Sequence, residues 1–163
     1  MLKEELQVIK QAIMNEVEGF EFYRMAASQA GEGGSKDAFL ELANEEKKHI
    51  EYLEAMFIKI KDGIEDEKAM AFMEGPPSPE IYKWDKLDKD LTSLAMSVFS
   101  IGIQMEKDSV DFYTKAKEET EIEEARKLYD TLIKWEKVHL EQFTEQYNMY
   151  KEDWWSDQGF APF

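Results

Sequence analysis

No cysteine occurs among the 163 residues. That excludes disulfides, thiolate zinc sites and any sulfur-ligated iron centre built from these residues, so electrons for redox chemistry would have to come from outside the chain. Proline is confined to Pro76, Pro77, Pro79 and Pro162, away from every long periodic segment. Positive charge is scarce as well. Against 36 Asp and Glu there are 20 Lys and Arg, and the formal net charge of -16 speaks against nucleic acid or an anionic membrane as a partner. No run approaches the roughly 20 apolar residues of a membrane span. The opening Met1-Leu2-Lys3-Glu4-Glu5 lacks the apolar stretch of a secretory leader, so a cytoplasmic location is expected. With 43% hydrophobic and 34% charged residues, the chain is sized for one globular domain with a core of its own.

What the chain does contain is a repeat. Glu46-x-x-His49 and Glu136-x-x-His139 lie 90 residues apart, and each follows a solitary glutamate, Glu16 or Glu106, by 30 residues. Around the solitary glutamates, Glu16-Val-Glu-Gly19-Phe-Glu-Phe22-Tyr23 and Glu106-Lys-Asp-Ser109-Val-Asp-Phe112-Tyr113 share glutamate, small residue and Phe-Tyr at equal offsets. Leu42 and Leu132 precede the two tetrads by four residues. Two helical hairpins built on one plan are the simplest reading.

Apolar spacing of three and four predicts four long helices. The first carries Ile9, Ala12, Glu16, Gly19, Tyr23 and Ala26; the second Phe39, Leu42, Glu46, His49, Leu53, Met56 and Ile60. Helix three carries Ala95, Phe99, Gly102, Glu106, Ser109, Tyr113 and Ala116, and helix four Tyr129, Leu132, Glu136, His139 and Phe143. Gly31-Glu-Gly-Gly-Ser35 is a hairpin loop, with Ser35 placed to cap helix two. Thr120 and Glu123 match a capping box for helix four, and Asp90 or Thr92 is a candidate cap for helix three. Between helices two and three, residues 61–90 read as a long crossover around Gly75-Pro76-Pro77-Ser-Pro79, with a short helix possible at 65–73. The expected fold is all-α: a four-helix bundle over 1–147, made of two hairpins joined by that crossover.

A glutamate in the middle of an apolar seam is costly to bury unless it is paired or bound to a cation, and four such glutamates at one level need a common partner. Positions i and i+3 share a helix face, so each Glu-x-x-His can reach one ion while Glu16 and Glu106 project from the other two helices. One glutamate from each of two helices and Glu-x-x-His from each of two others is a described ligand pattern of di-iron and di-manganese carboxylate bundles. Four carboxylates balance two divalent ions, and one imidazole per metal suits iron first and manganese second, rather than a structural zinc. The predicted metal ligands are therefore Glu16, Glu46, His49, Glu106, Glu136 and His139. Ala12, Gly19, Gly102 and Ser109 flank the lone glutamates and are expected to leave room for ions and a small oxidant. Tyr23 and Tyr113, seven residues beyond their glutamates, are placed to hydrogen-bond a ligand carboxylate of the other repeat.

Glu16-x-x-Gly-x-x-Phe-Tyr, Glu46-x-x-His49, Glu106-x-x-Ser-x-x-Phe-Tyr and Glu136-x-x-His139 resemble the rubrerythrin-like branch of the ferritin-like superfamily, over nearly all of residues 1–147. The resemblance implies a di-iron centre, reaction with hydrogen peroxide or dioxygen, and a homodimer. The chain departs from the full rubrerythrin pattern twice. These residues include no cysteine-ligated rubredoxin domain, and Ser109 stands where that pattern has a further glutamate ligand. The expected function is an oxidoreductase supplied by an external electron-donor protein. Two alternatives are an iron-oxidising, iron-sequestering protein and a bundle with a purely structural dimetal site.

Glu18, Glu21, Glu45 and Glu141 fall off the seam and read as solvated, and Trp135, turned roughly 100° from Glu136, reads as packing. The nine methionines read as core filler or crossover residues. The segment 148–163, with Trp154-Trp155 and Phe160-Ala-Pro-Phe163, is expected to be an aromatic tail docked on the bundle or a neighbouring subunit.

Overall fold

The computed structural model describes residues 2–63 and 91–159. It contains α1 (Leu2–Gln29), α2 (Gly34–Asp62), α3 (Thr92–Glu119) and α4 (Glu123–Asp157). The helices pair as two antiparallel hairpins, α1 with α2 and α3 with α4, and α1 meets α3 while α2 meets α4. This is the all-α four-helix bundle that the periodicity predicts. Among the described residues, no helix is long and apolar enough to cross a membrane. Apart from the last residues of α2 and Gly63, the expected crossover lies outside the described residues, as do the possible helix at 65–73, Asp90 and Phe160–Phe163.

In every helix the positions predicted to bind metal separate two apolar clusters. One contains Ile9, Ala12, Leu53, Met56, Tyr113, Leu128 and Leu132. The other contains Tyr23, Ala26, Phe39, Leu42, Phe99 and Phe143. A polar layer is thus held between two dry ones, and water reaches it poorly from either end.

The helix ends differ from the sequence reading. Gly33, Leu91 and Ile122 occupy the N-cap positions of α2, α3 and α4, and none makes a side-chain capping bond. Ser35 and Thr92 lie inside their helices. Thr120 closes α3 instead of opening α4. Its Oγ1 accepts from the Ile122 amide at 3.2 Å and donates to Glu5 Oε2 at 2.5 Å. The longer-range partner, Glu5, was invisible to a capping-box argument. Gly63 ends α2 at φ 66°, a left-handed cap that glycine adopts without a Cβ penalty.

α4 is also longer than the seam implied. It continues through 148–157, because Tyr150 is buried and stacks on Phe99, with ring centroids 6.0 Å apart. The predicted tail therefore begins inside a bundle helix. Trp155 at its end is 43% exposed.

Candidate metal centre

Glu16, Glu46, His49, Glu106, Glu136 and His139 are all buried and converge at the middle of the bundle. They form two overlapping groups, Glu16, Glu46, His49 and Glu136, and Glu46, Glu106, Glu136 and His139. Within each group, one potential ligand atom per residue lies within 4.8 Å of all the others. Glu46 and Glu136 belong to both, so the arrangement has the form of two adjacent ion sites with two shared carboxylates. All six sequence-predicted ligands are brought together.

The histidines present Nδ1 to the carboxylates. His49 Nδ1 is 3.1 Å from Glu136 Oε1, 3.3 Å from Glu16 Oε2 and 3.5 Å from Glu46 Oε2. His139 Nδ1 is 3.4 Å from Glu136 Oε2 and 3.6 Å from Glu106 Oε1. Among the described residues, Glu106 Oε2 and both Glu136 oxygens are buried without a hydrogen-bond partner. Such atoms are costly unless something else satisfies them. Hard oxygen donors with one imidazole per site suit an iron or manganese pair.

The charges show the same need. Burial, followed by the Glu16 charge, holds the Glu46 carboxyl well above its ordinary range. Burial and Glu136 do the same to Glu106. For His49, burial favours the neutral ring, but the Glu136 and Glu16 carboxylates outweigh it and raise the pKa well above normal. Burial opposes ionisation of Glu136 too, yet the His49 charge prevails and holds it well below the usual value. Without metal, protons do the work of cations in this layer.

Two tyrosines cross between the repeats. Tyr113 on α3 donates a short hydrogen bond to Glu16 Oε1 on α1, and Tyr23 on α1 donates to Glu106 Oε1 on α3 at 3.5 Å. Each hydroxyl thus orients a carboxylate of the other hairpin. Replacing Tyr113 by Phe removes a buried bond to a charged acceptor. The expected losses are about 1.5–3 kcal/mol of stability in denaturant titration and about 10–100-fold in metal affinity.

Two of the small residues differ in how closely their neighbours approach. A Cβ on Gly102 would lie 3.0 Å from Tyr23 Oη and 3.2 Å from the Phe143 ring, so this glycine makes room for the orienting tyrosine. A Cβ on Gly19 would meet only ordinary contacts, Met105 at 3.4 Å and Glu46 at 3.5 Å. Gly102→Ala should cost about 1–3 kcal/mol through overpacking. Gly19→Ala should be neutral or stabilise by up to about 1 kcal/mol through helix propensity. Thermal unfolding of the two variants measures the contrast.

Glu18, Glu21 and Glu141 are exposed, but Glu45 is not. It is 3% exposed, with Lys48 Nζ 2.6 Å from Oε1, at a position that the periodicity of α2 alone places outside the seam. Glu5 was missed altogether. It is buried and accepts from Tyr129 and Thr120, at the wall of a cavity of about 400 Å³ also lined by Glu4, Val8, Glu119 and Glu121. Its place four residues before Ile9 on the apolar stripe was the available signal. This cavity is separate from the six converging residues.

The family model described as Rubrerythrin matches residues 7–147. No curated protein and no solved structure gives a match.

Proposed function

The chain belongs to the rubrerythrin family, a ferritin-like di-iron family, and from that premise we propose an oxidoreductase that reduces hydrogen peroxide or dioxygen with electrons from an external donor protein. The observation that carries the reading is the pair of overlapping groups sharing Glu46 and Glu136, in which four buried carboxyls and two buried histidines converge. Two iron ions bound there would supply two electrons to an O–O bond.

The chain's own residues set the conditions for that chemistry. Glu16 with His49 would hold one ion, Glu106 with His139 the other, and Glu46 and Glu136 would contact both. Tyr113 and Tyr23 keep the two terminal carboxylates in place. The apolar layers on either side exclude bulk water, which strengthens every charge interaction within. With no cysteine among these residues, the proposed electron donor is external to them.

Stopped-flow mixing of the ferrous protein with peroxide or dioxygen tests the proposal. Oxidation should outrun that of free ferrous ion and stop at two irons per chain; oxidation no faster than free iron overturns it. The net charge of -16 favours a second reading, in which the acidic surface draws in iron for oxidation and sequestration. Loading far beyond two irons per chain would select that reading.

A further inference from the structure

His49 does not pack against aliphatic residues alone. The Trp135 ring stacks on it with centroids 5.3 Å apart and planes 17° apart, and Tyr52 meets Trp135 in turn at 5.2 Å with the rings tilted by 44°. Tyr52 is partly exposed, whereas Trp135 is 2% exposed. One column of rings therefore runs from the surface to a proposed ligand. Beyond His49 it continues to His139 at 5.7 Å and then to Phe143 at 6.0 Å, so the far side passes into phenylalanine, which is not readily oxidised.

Two features argue against simple packing for Trp135. Its Nε1–H is buried with no hydrogen-bond partner among the described residues, a cost that a phenylalanine at the same place would avoid. The pair also breaks the internal repeat. At the offset of 90 residues, Trp135 corresponds to Glu45 and Tyr52 to Gln142, so the repeat supplies an oxidisable pair to only one of the two histidines.

We propose that Trp135 and Tyr52 form a one-electron relay from the protein surface to the metal held by His49. The proposal rests on the oxidoreductase reading. Peroxide needs two electrons and two protons to become two waters, and a half-reduced pair offers one electron from its ferrous ion. Trp135 supplies the other electron and is refilled by Tyr52. The Tyr52 phenol releases its proton to solvent as it becomes a neutral phenoxyl radical. In sum, hydrogen peroxide, one ferrous ion, the phenol and one proton yield two waters, one ferric ion and the phenoxyl. Without the relay, one-electron cleavage would release hydroxyl radical inside the bundle.

The test uses iron-loaded protein titrated to one ferrous and one ferric ion per chain, a state visible by its own paramagnetic resonance. It is mixed with one equivalent of hydrogen peroxide and frozen within milliseconds. The native protein should show a tyrosyl radical. Tyr52→Phe should show a tryptophanyl radical instead. Trp135→Phe should show neither, and mass spectrometry should find several-fold more oxidised side chains. Loss of the starting signal without any radical in the native protein overturns the relay, as does an unchanged tyrosyl radical in either variant. Because Tyr52 is only partly buried, its variant remains informative if Trp135→Phe loads iron poorly. Persistence of the starting signal after peroxide also overturns the relay, whereas the proposed function fails separately, if the fully ferrous protein is oxidised by peroxide and dioxygen no faster than free iron.

Discussion

Glu136→Gln is expected to reduce bound divalent metal from two ions per chain to one or fewer, with affinity lowered more than about 100-fold. Changes to residues that only orient a ligand already cost about 10–100-fold, and Glu136 belongs to both four-residue groups. Glu16→Gln and Glu106→Gln each touch one group, so each should spare one ion. The metal-free proteins should differ in a second way. Ionised Glu136 is the partner that His49 favours, and breaking a buried pair costs about 3–5 kcal/mol. Burial and Glu136 raise the Glu106 pKa and so favour its neutral form, which glutamine mimics, and Glu106→Gln should cost less stability than Glu136→Gln. Metal analysis after dialysis against manganous ion, paired with urea unfolding of the apo-proteins, measures both. Equal stoichiometry in the Glu136 and Glu16 variants would contradict shared ligation.

Metal should raise the melting temperature by an amount that grows with pH. In the apo-protein the Glu46, Glu106 and His49 pKa values are raised by folding, so their contributions are complete below the unfolded values and are lost as pH rises through the folded ones. Glu136 has a lowered pKa; its contribution is present above the unfolded value and is lost as pH falls through the folded one. Three groups against one make the apo cluster less stable toward alkaline pH. Metal competes for the sites those protons occupy, so its affinity rises over the same range. With free metal at about 1,000 times Kd the stabilisation is about 4 kcal/mol, or roughly 10–15 °C for a chain of this size. Near pH 4.5 the difference should largely vanish. Differential scanning calorimetry with and without manganous ion across pH 4.5–8 tests this, and a gap that is constant or shrinks with pH refutes it.

Much of the centre was legible in the chain because ligand placement on a helix is a matter of local period. Glu16, Glu46, His49, Glu106, Glu136 and His139 occupy seam positions, and any helix built on that seam buries them together. The cross-repeat tyrosines followed from the same period, two turns beyond the lone glutamates. Glu45 shows where that argument stops. Its own helix places it off the seam, and only the tertiary fold buries it.

The sequence by itself determined the four helices, their pairing as repeated hairpins and the six converging side chains, since 3.6-residue periodicity states which face of each helix must be covered. Tertiary structure alone decided what the neighbouring positions do. It set Gly102 beneath Tyr23, Thr120 and Tyr129 on Glu5, and Trp135 on His49. Those contacts depend on the axial stagger and rotation of one helix against another, and no period within a single helix encodes either.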